Sequence, residues 1–139
     1  MDLACGSGIL ATLLARQGWD VVATDVSAAA CESTELTARA NCAVVTVQRA
    51  RQLDGLRTAS VDLIVANPPF HEGAAKDSSV TRLMLEAAPT VLRPGGELWL
   101  VFNSHLPYLT WLRDLVGPTS VVARDRHYTV TRSRTRGVS

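Results

Sequence analysis

The sequence predicts an α/β domain: a mostly parallel sheet with helices on both faces. Apolar runs of strand length alternate with amphipathic stretches of helix length. The strand-like runs read as buried, as strands covered by helices must be. Glycine-bearing and polar segments follow several of them, at the strand ends where such sheets bind ligands. The 139 residues, 47% of them hydrophobic, suffice for one domain with a core and fall short of two comfortable ones.

Taken in order, "GILATLLARQG" places Ile9, Leu10, Leu13 and Leu14 on one apolar helical face and stops at Gly18. "DVVATD" (20–25) is a short strand ending on a carboxylate, and Ser27 can cap a helix that runs to about Asn41. "AVVTVQ" (43–48), "VDLIVAN" (61–67) and "GELWLVF" (96–102) read as strands. A helix around "RLMLEAAPTVL" separates the last two, with a kink expected at Pro89. Pro107 suits the first position of a helix over "YLTWLRDLV", and "TSVVAR" with "HYTVTR" makes a closing strand pair. No repeat, low-complexity tract or interdomain linker interrupts this order.

Composition excludes several classes. No apolar stretch reaches the roughly 18 to 20 residues of a membrane span, and the start "MDLACGSG" lacks a basic region ahead of an apolar signal core. The expectation is a soluble, cytoplasmic protein with no membrane partner. Cys5, Cys31 and Cys42 are odd in number and lack CxxC spacing, so they read as packing residues and indicate neither a disulfide framework nor a metal site. Net charge is +1, yet thirteen arginines stand against one lysine, and Arg124, Arg126, Arg132, Arg134 and Arg136 crowd the last sixteen residues. That cluster is a candidate contact for RNA phosphates; a solvated basic tail is the competing reading.

Two segments carry chemistry. In "DLACGSG", Gly6 and Gly8 let backbone approach a ligand at a strand-to-helix turn, and Asp25 ends the next strand 23 positions after Asp2. A carboxylate there suits the two hydroxyls of a ribose, so the pair signals a nucleoside cofactor. "GSGILA" also satisfies the dinucleotide fingerprint G-x-G-x-x-G/A with Ala11 in third place. Asp2, placed to face the cationic methionine end, and a later "NPPF" favour S-adenosylmethionine over NAD.

"VANPPFHEG" closes the strand over 61–67. Asn67 and Pro68 each precede a proline and are pushed out of the helical region, which leaves a stiff extended projection. A planar amine on a base has two N–H donors, which the Asn67 side-chain oxygen and the Pro68 carbonyl can accept. Phe70 can stack on the ring, a contact typically worth about 1 to 3 kcal/mol. His71 reads as a brace or RNA contact and is not needed as a base. Asn103 and His105 line the acceptor side or shape the turn into Pro107, and Tyr108 and Trp111 read as packing.

"DLACGSG", "ATDVS", "NPPFHEG" and "LRPGGELWLVFNSHLPY" together resemble the methyltransferase small-domain family, specifically its ribosomal RNA guanine-N2 methyltransferases, from residue 2 to about residue 133. The resemblance implies a class I methyltransferase (Rossmann-like) fold, S-adenosylmethionine as donor and an RNA guanine as acceptor. By the same resemblance Asp2, Gly6 and Gly8 hold the methionine portion, Asp25 the ribose, and Asn67, Pro68, Pro69 and Phe70 the target base, with Ala4, Val26, Arg51 and Asn67 also counted among the cofactor-binding residues. Arg51 stands near the adenine position, where related sequences carry an acidic or small polar residue. Family members also have a long N-terminal half and a full first strand. The expectation here is residues 1–139 as one catalytic domain lacking its N-terminal part, with the first strand truncated. Protein glutamine-N5 methylation, an NAD-dependent oxidoreductase and an inactive methyltransferase-like fragment are the alternatives.

Overall fold

The computed structural model describes residues 1–67 and 74–136. Its chain divides into two compact units, Met1–Asp54 and Gly55–Ser139.

The first unit runs β1 (Asp2–Leu3), α1 (Ile9–Arg16), β2 (Val21–Asp25), α2 (Ala28–Ala40) and β3 (Val45–Arg49). All three strands are parallel in the order β3-β2-β1, with Asp2 opposite Ala23 and Val21 opposite Val45. Parallel neighbours need a crossover, which α1 and α2 supply. The carboxyl ends of β1 and β2 therefore lie side by side, and the loops that follow them share one edge.

The helix boundaries follow local chemistry. The Ser27 side chain accepts from the Ala30 N–H at 3.2 Å and starts α2, and Asn41 ends it. Gln17 ends α1, and Gly18 turns the chain at φ +97°.

The packed face of α1 differs from the expected one. Ile9, Leu10 and Leu13 are 59%, 42% and 52% exposed, while Ala11 and Thr12 are buried. Ala11 joins Cys5, Val21 and Ala23 in a small core, flanked by Leu14, Ala15 and Val45. Small side chains let α1 lie close to β2 and α2, a closeness that bulky branched residues would prevent. Of the cysteines only Cys5 is buried; Cys31 is half-buried, and Cys42 is exposed in a left-handed turn at φ +55°.

The second unit contains β4 (Val61–Ala66), α3 (Ala74–Val91), β5 (Leu92–Asn103), α4 (Tyr108–Leu115), β6 (Thr119–Arg124) and β7 (Tyr128–Arg134). β4 and β5 are parallel, whereas β5–β7 and β7–β6 are antiparallel, giving the order β4-β5-β7-β6. Helix α3 continues through Pro89, and the carbonyls of Thr90 and Val91 in its last turn accept the Ala59 and Ser60 N–H groups at 2.8 and 2.9 Å. Pro107 sits one position earlier than expected, as the N-cap of α4.

The core here is Ile64, Leu85, Leu98, Leu100 and Leu112, all fully buried. Tyr108 packs between Phe102 and Trp111, with ring centroids 5.4 and 5.2 Å away, and its hydroxyl lies 3.0 Å from the Ser78 hydroxyl. Both α4 aromatics are thus packing residues, as read from the sequence. One face of β7 carries buried hydroxyls: Thr129, Thr131 and Ser133, continued by Thr135. They are paired, Thr129 with Ser104 at 2.9 Å and Ser133 with Thr119 at 2.7 Å, while Thr135 donates to the Arg93 carbonyl at 3.2 Å. Pairing removes the cost of burying them.

Candidate active site

The candidate residues fall in both units. In the first, the turn between β1 and α1 is built from Ala4 to Gly8, with Ala4, Gly6 and Gly8 at φ +59°, +55° and +83°. Asp2, the first residue of β1, is buried, and its Oδ2 accepts the Ala11 N–H at 3.1 Å. Gly8 occupies the N-cap of α1 and has no side chain to offer, so a carboxylate from the neighbouring strand satisfies a free N–H of the first turn. Burial pushes the Asp2 carboxyl up to about 6, against the opposing pull of the Ala11 N–H. A buried acid so weakly compensated is suited to a cationic neighbour.

Asp25 ends β2 and clasps two loops. Its Oδ2 accepts the Gly6 N–H at 3.2 Å and its Oδ1 the Ser27 N–H at 2.9 Å. The two oxygens of a carboxylate offer about four acceptor sites, so capacity remains for the hydroxyls of a ligand. Val26 exposes its side chain, while its carbonyl accepts Arg49 Nε at 2.8 Å. Arg51 is exposed in the turn after β3.

The two glycines of the turn do different work. A Cβ on Gly6 would meet nothing within 4 Å, which leaves that side of the turn open to a ligand. A Cβ on Gly8 would stand 2.7 Å from Thr34 Cα and 2.8 Å from Thr34 Cγ2. Gly8 is therefore demanded by the packing of α1 on α2. Thr34, fully buried, also donates to the Gly6 carbonyl at 3.1 Å, with Cys5 Sγ equally close. Burial raises the Cys5 thiol above its usual range. The sequence reading missed Thr34: a threonine in mid-helix carries no local sign that it braces a loop 28 positions away.

In the second unit Asn67 follows β4 directly, exposed, with no hydrogen bond among the described residues. Pro68, Pro69 and Phe70, with His71 and Glu72, lie outside the described residues. Asn103 and His105 favour the turn-shaping reading, since Asn103 Oδ1 stands 2.7 Å from His105 Nδ1. The arginine cluster divides. Arg132 and Arg134 face Glu97 at 3.8 and 3.4 Å, and Arg136 donates to the Arg113 carbonyl at 3.1 Å. Arg124 and Arg126 are exposed at the turn between β6 and β7.

A family match decides the membership. Residues 1–132 match the family described as methyltransferase small domain. The chain belongs to that family. Within it, the chain is 39% identical over 134 residues to a ribosomal RNA small subunit methyltransferase C of Alcanivorax borkumensis, covering 96% of this chain and 41% of the relative. It is 41% identical over 138 residues to a ribosomal RNA large subunit methyltransferase G of Streptomyces coelicolor, covering 96% of this chain and 36% of the relative. The chain thus spans about two-fifths of the length of these relatives.

A solved T. thermophilus 16S rRNA N2 methyltransferase (RsmC), in complex with AdoMet and guanosine, superposes with a TM-score of 0.87 at 32% identity. That match covers 97% of this chain and 36% of the other. A ribosomal protein L11 methylase from Lactobacillus delbrueckii subsp. bulgaricus reaches 0.77 at 22% identity over 97% of this chain and 68% of its own, a likeness of fold alone. The small-domain chain has the α/β fold of class I methyltransferases, as its sequence predicted.

Proposed function

We propose that the chain is the catalytic part of an S-adenosylmethionine-dependent methyltransferase that modifies the exocyclic N2 of guanine in ribosomal RNA. The observation that carries this reading is the turn at Gly6, open on its ligand side and bounded by two carboxylates. Asp2 is buried, with the Ala11 N–H bonded to its carboxylate; Asp25 holds the turn and keeps acceptor capacity. These residues fit S-adenosylmethionine: a cationic centre matches Asp2, and ribose hydroxyls match Asp25. Ala4, Gly6 and Gly8 shape the backbone beside it, and Val26 and Arg51 flank the nucleoside.

Bound S-adenosylmethionine supplies an electrophilic methyl group. The protein's part is to hold the acceptor nitrogen. Asn67 Oδ1 and the Pro68 carbonyl accept the two amine hydrogens, which directs the nitrogen lone pair and favours its pyramidal form as charge develops. Pro69 completes the same acceptor motif, and Phe70 is assigned the stacking contact with the base. As the nitrogen–carbon bond forms, the donor's methyl–sulfur bond would break with its electron pair left on sulfur, and water would take the amine proton, so no side-chain base is required. A guanine within an RNA stack must first be flipped out, at a cost of a few kcal/mol.

The relatives named above act on both ribosomal subunits, so both RNAs belong in the test. The protein is incubated with labelled S-adenosylmethionine and unmodified small- or large-subunit ribosomal RNA, and the digested nucleosides are separated by mass. N2-methylguanosine in one of them is the expected product. Label transferred only to a glutamine-containing release factor, or to nothing, would sink the proposal.

A further inference from the structure

The turn between β6 and β7 was not absorbed by the chemistry above. Strand β7 runs antiparallel to β5 with Tyr128 opposite Asn103, so the turn stands at the carboxyl end of β5. Strand β4 is parallel to β5 with Ala66 opposite Leu100, so Asn67 emerges at that same end. Two strand spacings, about 10 Å, separate the lines of β4 and β7, and Arg124, ending β6, lies one spacing further, at about 15 Å.

The turn is held firmly. Asp125 Oδ1 accepts the N–H groups of His127 and Tyr128 at 2.7 and 2.8 Å, and the Asp125 N–H donates to the Tyr128 carbonyl at 2.9 Å. Ser104, just past β5, fastens it from outside: its hydroxyl donates to the Asp125 carbonyl at 3.0 Å and its N–H to the His127 carbonyl at 2.8 Å. The N–H groups of Tyr128 and His127 hold the Asp125 carboxyl below its usual range. The single acid of the turn is thereby folded back onto the backbone.

What the turn presents outward is cationic. Among the described residues the side chains of Arg124 and Arg126 make no hydrogen bond or ion pair, with exposed His127 next in line. Arg132 and Arg134, further along β7, share Glu97. Guanidinium groups with no protein partner, on a stiff turn, match phosphate oxygens, which they bind bidentately.

We propose that Arg124 and Arg126 grip the RNA backbone beside the target base, making this turn the substrate's phosphate clamp. The inference rests on the function proposed above. A base brought to Asn67 leaves its neighbouring phosphates to extend along this edge, where the turn stands two to three strand spacings away, about 10 to 15 Å. Free arginines at this edge then serve register, while the paired ones on β7 do not.

The test compares Arg124→Gln/Arg126→Gln with Arg132→Gln/Arg134→Gln, measuring ribosomal RNA affinity across salt concentrations, methyl-transfer kinetics and S-adenosylmethionine binding. For the turn pair the salt slope should fall by about 1 to 2 and KM should rise about tenfold, with kcat and cofactor affinity held. The β7 pair should change each quantity less than twofold, by analogy with the small worth of exposed ion pairs. An unchanged slope in the turn pair overturns the inference. So does an equal loss in both pairs, which would mark general attraction to a polyanion. Failure of the unaltered protein to methylate either RNA overturns the function itself, a result separable from the behaviour of the variants.

Discussion

The two units handle their candidate residues in opposite ways. In the first, residues proposed to bind are also residues that fold: Asp2 caps α1, Asp25 clasps two loops, and Gly8 admits Thr34. In the second, Asn67, Arg124 and Arg126 have no such duty among the described residues. Substitutions should therefore mix stability with affinity in the first unit and separate them in the second. The lesson is chemical: a buried polar group must be satisfied by the protein first, whereas an exposed one is free for substrate.

The sharpest contrast is between the two glycines. Gly8→Ala forces a Cβ against Thr34 at a left-handed position and should destabilise by about 2 to 5 kcal/mol, from overpacking and backbone strain together. Gly6→Ala has free space and should cost only about 1 to 2 kcal/mol of strain while weakening cofactor binding. Urea unfolding beside calorimetry with S-adenosylmethionine reads both, and equal stability losses would break the distinction.

Asn67→Ala should leave stability and cofactor affinity unchanged and lower the single-turnover rate about a hundredfold, the size expected for one lost positioning group. A fully active Asn67→Ala protein would remove the proposed acceptor mechanism.

Asp25→Ala should weaken S-adenosylmethionine by about 1.5 to 3 kcal/mol, typical of lost charge-assisted bonds, and should also lower the melting temperature because Gly6 and Ser27 lose their partner. Affinity unchanged within error would take Asp25 out of the ribose site.

Asp2 gives a pH signature. Its folded pKa of about 6 lies above the ordinary 3.8, so the folded state binds the extra proton between these values. The contribution is full below 3.8 and is lost as pH rises through 6, about 3 kcal/mol in all by linkage. Unfolding free energies measured from pH 4 to 7 should fall accordingly, and Asp2→Asn should flatten the trend. Cofactor affinity should move the other way, rising as the carboxylate ionises.

The smallest effect belongs to a residue with one duty. Ser27→Ala should cost about 1 kcal/mol by loss of the α2 cap, with cofactor affinity nearly intact. A large affinity loss in this variant would mean that the Ser27 side chain belongs to the site after all.

Much of this was legible from the chain. Strand and helix order followed from periodicity, because alternating apolar runs leave few ways to build a covered sheet. Ser27 and Asn41 declared the ends of α2 by their side-chain chemistry. Less visible was anything that depends on which small residue faces which neighbour. Of the apolar stripe Ile9, Leu10, Leu13 and Leu14, Leu14 packs against the core of the first unit and the other three are exposed, since periodicity counts methylenes and not clearance. Thr34 and Ser104 act on loops distant in sequence, and no local pattern encodes such a bond. The hydroxyls of β7 looked like ordinary strand residues until the register paired them.

One consequence concerns the thermodynamics of recognition. The turn at Gly6 is fastened from two sides, its N–H by Asp25 and its carbonyl by Thr34, through bonds that belong to the protein alone. The entropy of ordering that loop is then spent during folding, and little remains to be lost when a nucleoside arrives. The heat capacity change on binding should accordingly track buried ligand area and contain no folding component. Thr34→Val, though buried and touching no ligand, would act as an affinity mutation whose penalty is entropic.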